Sequence, residues 1–303
     1  MKTTAFLAAL AALVVVGCGR KDAPAEQPVD IVPSGEAVAA LNEALEANGL
    51  SITFEDRSCV KIIASDDDGS FIACALGTAV RKEQPSDHGF PAIRSICLNK
   101  ALRDANFNFA AFLHETIAEE PPAKDETVVT RSVDASLMGG QVLCMAECRS
   151  SVGYEVAVAV CWSSEGMDAM RRRLDNPVQS DDAAVMAWLA GKDFSDLHGP
   201  RSFTDSSGTL RLLGIGMANV QRPNAMDKAY AEALLFSTYS FPTKVHAWHK
   251  TTTSLSTGAE TTSHSYEETL EREPRSWSVI LKTTFNDASS GCKMAVVVVE
   301  AIP

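Results

Sequence analysis

Apolar residues along this chain recur in two periods, and the switches between them divide it into elements. Val38, Leu41 and Leu45 fall at helical spacing, with Asn48-Gly49 as the closing punctuation, so a short helix is predicted over 36–48. Residues 51–55 and 59–64 then read as strands. The run FIACALGTAV, 71–80, reads as an apolar strand whose Gly77 admits a close neighbour or marks a bulge. Ile93, Cys97, Ala101 and Ala105 recur every four residues and, with Phe109 and Phe112, predict an amphipathic helix over 91–118 that Pro121-Pro122 terminates. Strands follow over 127–135, 140–149 and 153–162, the last with Tyr154, Val156, Val158 and Val160 on one face.

The next stretch is a connector. Residues 167–174 and 181–189 read as short helices, the second capped by Ser180 and closed by Gly191. The segment GKDFSDLHGPRSFTDSSG reads as loop, with Trp188, Phe194 and Leu197 packing it across a joint between halves. TLRLLGIGMANV is again a strand, and Pro223-Asn224 opens an Ala-rich helix that places Ala225, Ala229 and Ala233 on one face. Pro242 ends or kinks that helix, with Val245–Trp248 as its continuation after a kink. The Thr- and Ser-rich stretch from Thr251 reads as an exposed hairpin or loop, and 276–285 and the Val-rich end of the chain read as strands.

These elements recur. SDDDGSFIACALGTAV and TDSSGTLRLLGIGMANV match at a shift of 139 residues, pairing Asp66 with Asp205, Gly69 with Gly208, Gly77 with Gly216 and Ala79 with Ala218. GYEVAVAV at 153–160 matches GCKMAVVV at 291–298 at a shift of 138. Two separated segments with nearly one offset imply a duplicated unit, and the fold class read from it is α+β: two tandem repeats, each a long helix packed on an antiparallel sheet. A strand carrying GxA (Gly77-Thr78-Ala79, Gly216-Met217-Ala218), then an Ala-rich helix, then a Val-rich hairpin resembles the Lpp-twenty lipoprotein domain and the N-terminal domain of the flagellar T-protein. That resemblance implies an envelope domain used in surface or machine assembly, with no catalytic residues to carry over.

The amino terminus supplies an address. Lys2, an apolar run to Val16 and then Gly17-Cys18 have the layout of a secretory signal, and Val15-Val16-Gly17-Cys18 looks like the lipobox of bacterial lipoproteins. The expected division is a signal peptide over 1–17, lipidated Cys18 with a Pro-rich tether to 35, a first repeat with its leading helix over 36–163, a connector over 164–204 and a second repeat over 205–303. The expected location is the bacterial cell envelope, anchored to the membrane through lipid on Cys18. Gly19 after Cys18 points to the outer membrane, facing periplasm or surface.

Composition narrows the function. The formal net charge of -12 and the lack of a basic cluster beyond Arg171-Arg172-Arg173, read as a solvated helix face, exclude nucleic acid as the partner. Other envelope proteins are the expected partners. Of the eight cysteines, those beyond Cys18 are Cys59, Cys74, Cys97, Cys144, Cys148, Cys161 and Cys292, a number that permits up to three bridges in the first half or a set of small buried side chains. His246 and His249, on about one helical face, with His264 beyond the Thr/Ser segment, come nearest to a metal site, but they lack the HExxH spacing and read as solvated. The acidic turn Asp66–Gly69 has Ala75 where a calcium loop needs Glu, and its copy keeps only Asp205 and Gly208 of its acids and glycine, so it reads as a structural turn. No GxSxG, SxxK or complete dinucleotide motif occurs. No catalytic, metal or cofactor residue is therefore assigned and no cofactor is expected. The function read from sequence is a non-enzymatic scaffold or binding module, the alternative being an envelope hydrolase or small-ligand-binding protein with a site between the repeats near His246 and His249.

Overall fold

A computed structural model describes residues 33–55, 59–65, 70–82, 90–123, 126–254, 256–257, 260–287 and 290–303. The signal segment, Cys18, most of the tether and the turn Asp66–Gly69 lie outside them. The chain runs α1 (Glu36–Ala47), β1 (Val60–Ser65), β2 (Phe71–Arg81), α2 (Phe90–His114), β3 (Glu115–Ala123), β4 (Glu126–Leu137), β5 (Gln141–Ser150) and β6 (Gly153–Ser163). It continues with α3 (Ser164–Asp175), α4 (Asp182–Leu189), a 3-10 turn (Phe194–Leu197), β7 (Gly199–Thr204), β8 (Leu210–Asn219), α5 (Ala225–Ser237), β9 (Thr243–Ser254), β10 (Glu260–Leu270), β11 (Ser276–Asp287) and β12 (Cys292–Ile302). The molecule is α+β, and its strands form antiparallel sheets ordered β1-β2-β6-β5, β7-β8-β12-β11 and β3-β4-β9-β10.

Helices cover both faces of the first two sheets, which is why their central strands read as apolar runs instead of clean alternations. On the first sheet, α2 sets Cys97, Ala101, Ala105 and Phe109 against Tyr154, Val156, Val158 and Trp162. On its other face, α1 sets Ala37, Leu41 and Leu45 against Cys74, Leu76, Ala157 and Ala159. The second sheet is covered in the same way, with Ala225, Ala229 and Ala233 of α5 on Val297 and Val299, and Val185 and Leu189 of α4 on Ile215 and Val298. The third sheet joins one hairpin from each half, with β4 and β9 paired without a slip from Glu126↔Ser254 to Leu137↔Thr243.

Small residues set how closely each long helix lies on its sheet. A Cβ on Gly77 would stand 1.9 Å from the Ala101 carbonyl oxygen, and one on Gly216 would stand 2.0 Å from that of Ala229. No side chain fits there, so glycine is required by the close approach. That contact also brings a helix acid onto a strand edge. Pairing of β1 with β2 ends at Val60↔Ala75 and pairing of β7 with β8 at Gly199↔Ile215. Beyond those points the Thr78 N–H donates to Asp104 Oδ2 and the Met217 N–H to Glu232 Oε2, each at 2.8 Å.

Several sequence expectations are corrected. Residues 51–55 are not a strand, because the Phe54 N–H and carbonyl both bond the Asn42 side chain, at 2.9 and 3.0 Å, leaving no ladder to join. Helix α2 stops at His114, where Glu115 pairs with Val133, and Pro121-Pro122 lie in the edge strand β3. Val245–Trp248 is strand, held between β4 and β10. Asp181, rather than Ser180, caps α4, accepting the Ala184 N–H at 3.0 Å. Residues 199–204 form β7 instead of loop, and Trp188, Phe194 and Leu197 pack on the second sheet, not across the halves. Arg173 is not solvated: Met170, Arg173 and Leu174 share the buried face of α3, and Arg173 is 3% exposed.

Candidate functional site: a crevice between the halves

Where the start of α2 meets the end of β8, the chain leaves a crevice of about 330 Å³. One wall is Pro91, Ala92, Ser95 and Ile96; the floor is Met217, Ala218 and Asn219; Arg222, Lys228 and Glu232 complete it from the turn after β8 and from α5. The volume is at the lower end of the range for small-molecule sites. The wall is apolar because Ile96, 43% exposed, turns away from the α2 core, while Lys228 and Arg222 stand exposed at the rim. The cations outnumber the carboxylate there, on a chain whose formal charge is -12.

Two polar side chains are built into this floor. Asn219 is 3% exposed, and its Oδ1 accepts the Gln221 N–H at 2.9 Å. That bond fixes the orientation of the amide, since only an oxygen accepts from N–H. Its Nδ2 has no hydrogen-bond partner among the described residues. A buried donor without a partner costs about 1–3 kcal/mol. Glu232 is held by the Met217 N–H and by His198, whose Nε2 lies 3.0 Å from Glu232 Oε2. His198 is itself buried, with its ring edge against Phe236.

Charge is also buried away from the crevice. Glu300 is fully buried, with Arg211 Nη1 at 3.2 Å, Ser180 Oγ at 2.6 Å and Arg173 Nη2 at 3.7 Å. Arg211 reaches on to Asp205 at 2.7 Å. Burial pushes the Asp205 carboxyl up, but hydrogen bonds from Ser207, Thr209 and Arg211 outweigh it and hold the carboxyl well below the usual range. The repeated Asp-x-x-Gly turn is thus the anchor of an ion network in the second half, not a cation loop.

The histidines of the sequence reading lie elsewhere. His246 and His249 are on β9, and His264 is the direct cross-strand partner of His249. His246 Nδ1 stands 4.0 Å from Asp134 Oδ2 on the exposed face of the third sheet. Among the described residues, no group of three or more His, Cys, Asp and Glu could hold a metal ion. Residues Asn219, Glu232 and His198 were not singled out from sequence. One signal for Glu232 exists: a shift of 128 residues lays Ala101, Asp104 and Ala105 on Ala229, Glu232 and Ala233.

No protein-family model matches the chain, and no curated protein matches it. Among solved structures it is similar to a hypothetical protein of Francisella tularensis, 12% identical, with 91% of this chain and 95% of that one covered and a TM-score of 0.48. No helix among the described residues is long and apolar enough to cross a membrane.

Proposed function

We propose that this chain is a lipid-anchored cell-envelope protein of two tandem α+β repeats that acts as a binding module, taking a small anionic amphiphile in the crevice between its halves. The lipobox ending at Cys18 supports the address, and the resemblance of each repeat to Lpp-twenty and flagellar T-protein domains supports a non-enzymatic role. The like order of the first two sheets, with an acid from each long helix on the same strand edge, supports the duplication. The observation that carries the ligand class is the apolar wall of Pro91, Ala92 and Ile96 in one crevice with the exposed cations Lys228 and Arg222. An acyl body covers Ile96 and Ala92 while its carboxylate faces Lys228 and Arg222.

Calorimetric titration with octanoate tests this. Lys228→Glu reverses an exposed charge of the crevice, so affinity falls at least about tenfold. Wild-type protein that takes up no octanoate, or a variant that binds it equally, ends the proposal. A second reading, hydrolysis of the bound molecule, has one observation in its favour, the Glu232 carboxylate oriented by His198 in the crevice wall. Under that reading Glu232→Gln binds ester analogues and no longer cleaves them.

A further inference from the structure

Four cysteines share the face of the first sheet that α1 covers. Cys74 is fully buried there, and Cys144, Cys148 and Cys161 pack around the same cluster, half-buried. Their positions in the ladder differ. Cys74 on β2 is directly opposite Cys161 on β6, whereas Cys144 is opposite Ala159 and Cys148 opposite Glu155. Residues directly opposite in an antiparallel pair have Cα atoms about 4.5 or 5.5 Å apart, depending on the ladder position. Both separations fall inside the range of disulfides, about 4.4–6.8 Å.

We propose that Cys74 and Cys161 form a reversible cross-strand disulfide, a redox site that staples β2 to β6 beneath α1. The two thiols differ in a way that sets the order of events. Cys161 is the more accessible, and a hydrogen bond from Cys74 lowers its pKa, while the same contact and burial raise that of Cys74. With a small disulfide such as oxidised glutathione as oxidant, the Cys161 thiolate attacks one sulfur, and the glutathione S–S bond breaks to release one glutathione thiolate. The Cys74 thiol then gives its proton to water and attacks the Cys161 sulfur of the mixed disulfide, expelling the second glutathione. Two protein thiols are oxidised and one external disulfide is reduced to two thiols.

The full chain is exposed to oxidised glutathione, remaining thiols are alkylated after unfolding, and the digest is read by mass spectrometry. The expected product is one linked peptide pair joining Cys74 to Cys161, two hydrogens lighter than the separate peptides. It reverts with a phosphine reductant, and the oxidised protein melts roughly 4–10 °C higher because a long loop is closed. Cys161→Ser abolishes the link and leaves Cys74 to be alkylated. If that variant fails to fold, the wild-type reduction cycle decides alone. Alkylation of both Cys74 and Cys161 in the oxidised protein, or a link from either to Cys144, Cys148 or Cys97, overturns the proposal.

Discussion

At one register position the two halves make opposite choices. Cys74 faces Cys161 across β2 and β6; 139 residues on, Leu213 faces Glu300 across β8 and β12. Two thiols are apolar enough to be buried as they are, so α1 closes over them with hydrocarbon alone. A carboxylate in the same place cannot be left uncompensated, because a charge removed from water costs several kcal/mol unless it is paired and hydrogen-bonded. The second half answers with Arg211, Ser180 and Arg173, and Arg173 comes from α3, a helix with no counterpart ahead of the first sheet among the described residues. Two sheets of like strand order thus hold two kinds of lock, and the ionic one recruits α3.

The largest expected effect tests what the halves share. Gly77→Val and Gly216→Val each drive a side chain into a helix carbonyl about 2 Å away, and each costs more than about 3 kcal/mol in urea unfolding. Tolerance of one and not the other would show that only one helix depends on this approach. Next in size is Glu300→Gln, which leaves Arg211 and Arg173 buried without their shared carboxylate and costs about 3–5 kcal/mol. Cys161→Ala at the matching position, measured under reducing conditions, costs about 1–2 kcal/mol, since only a small buried group is lost.

Acid separates the halves further. The folded pKa of Asp205 is depressed, so its contribution is complete above the ordinary Asp value of about 3.9 and is lost as pH falls below it. Asp104 is the reverse: burial raises its pKa against the Thr78 hydrogen bonds, so it detracts from stability as pH rises from the ordinary value through the raised one. Asp205→Asn therefore flattens the acid limb of the stability curve, and Asp104→Asn flattens the rise in stability on acidification. The smallest effect is Asp104→Asn at neutral pH, within about 1 kcal/mol, because the amide oxygen still accepts the Thr78 N–H. Urea midpoints across pH check all of these.

Local pattern carried much of this architecture. The apolar run of β6 and the glycines under α2 and α5 declare themselves within a dozen residues, and the Thr- and Ser-rich stretch from Thr251, read as hairpin or loop, is a hairpin. What failed depends on distant partners. Val245–Trp248 continues a helical spacing until β4, more than a hundred residues earlier, is laid beside it. Ile117 and Ala118 prolong the pattern of α2, yet Glu115–Glu120 pair with β4. Arg173 reads as one of three like charges until the Leu210 carbonyl and Glu300 claim it. The crevice was least visible, since its walls come from α2, β8 and α5, and the strand offset of 139 hides the offset of 128 that aligns Asp104 with Glu232.

The crevice, walled by α2, β8 and α5, carries the proposed function. The most direct measurement is mass spectrometry of solvent extracts from protein purified out of native membranes, comparing wild type with Ala92→Trp, which fills the crevice from an exposed helix position. A small anionic amphiphile is expected in near-stoichiometric amount with the wild type and absent from the folded variant. No such molecule with the wild type, or equal amounts with both, would contradict the account.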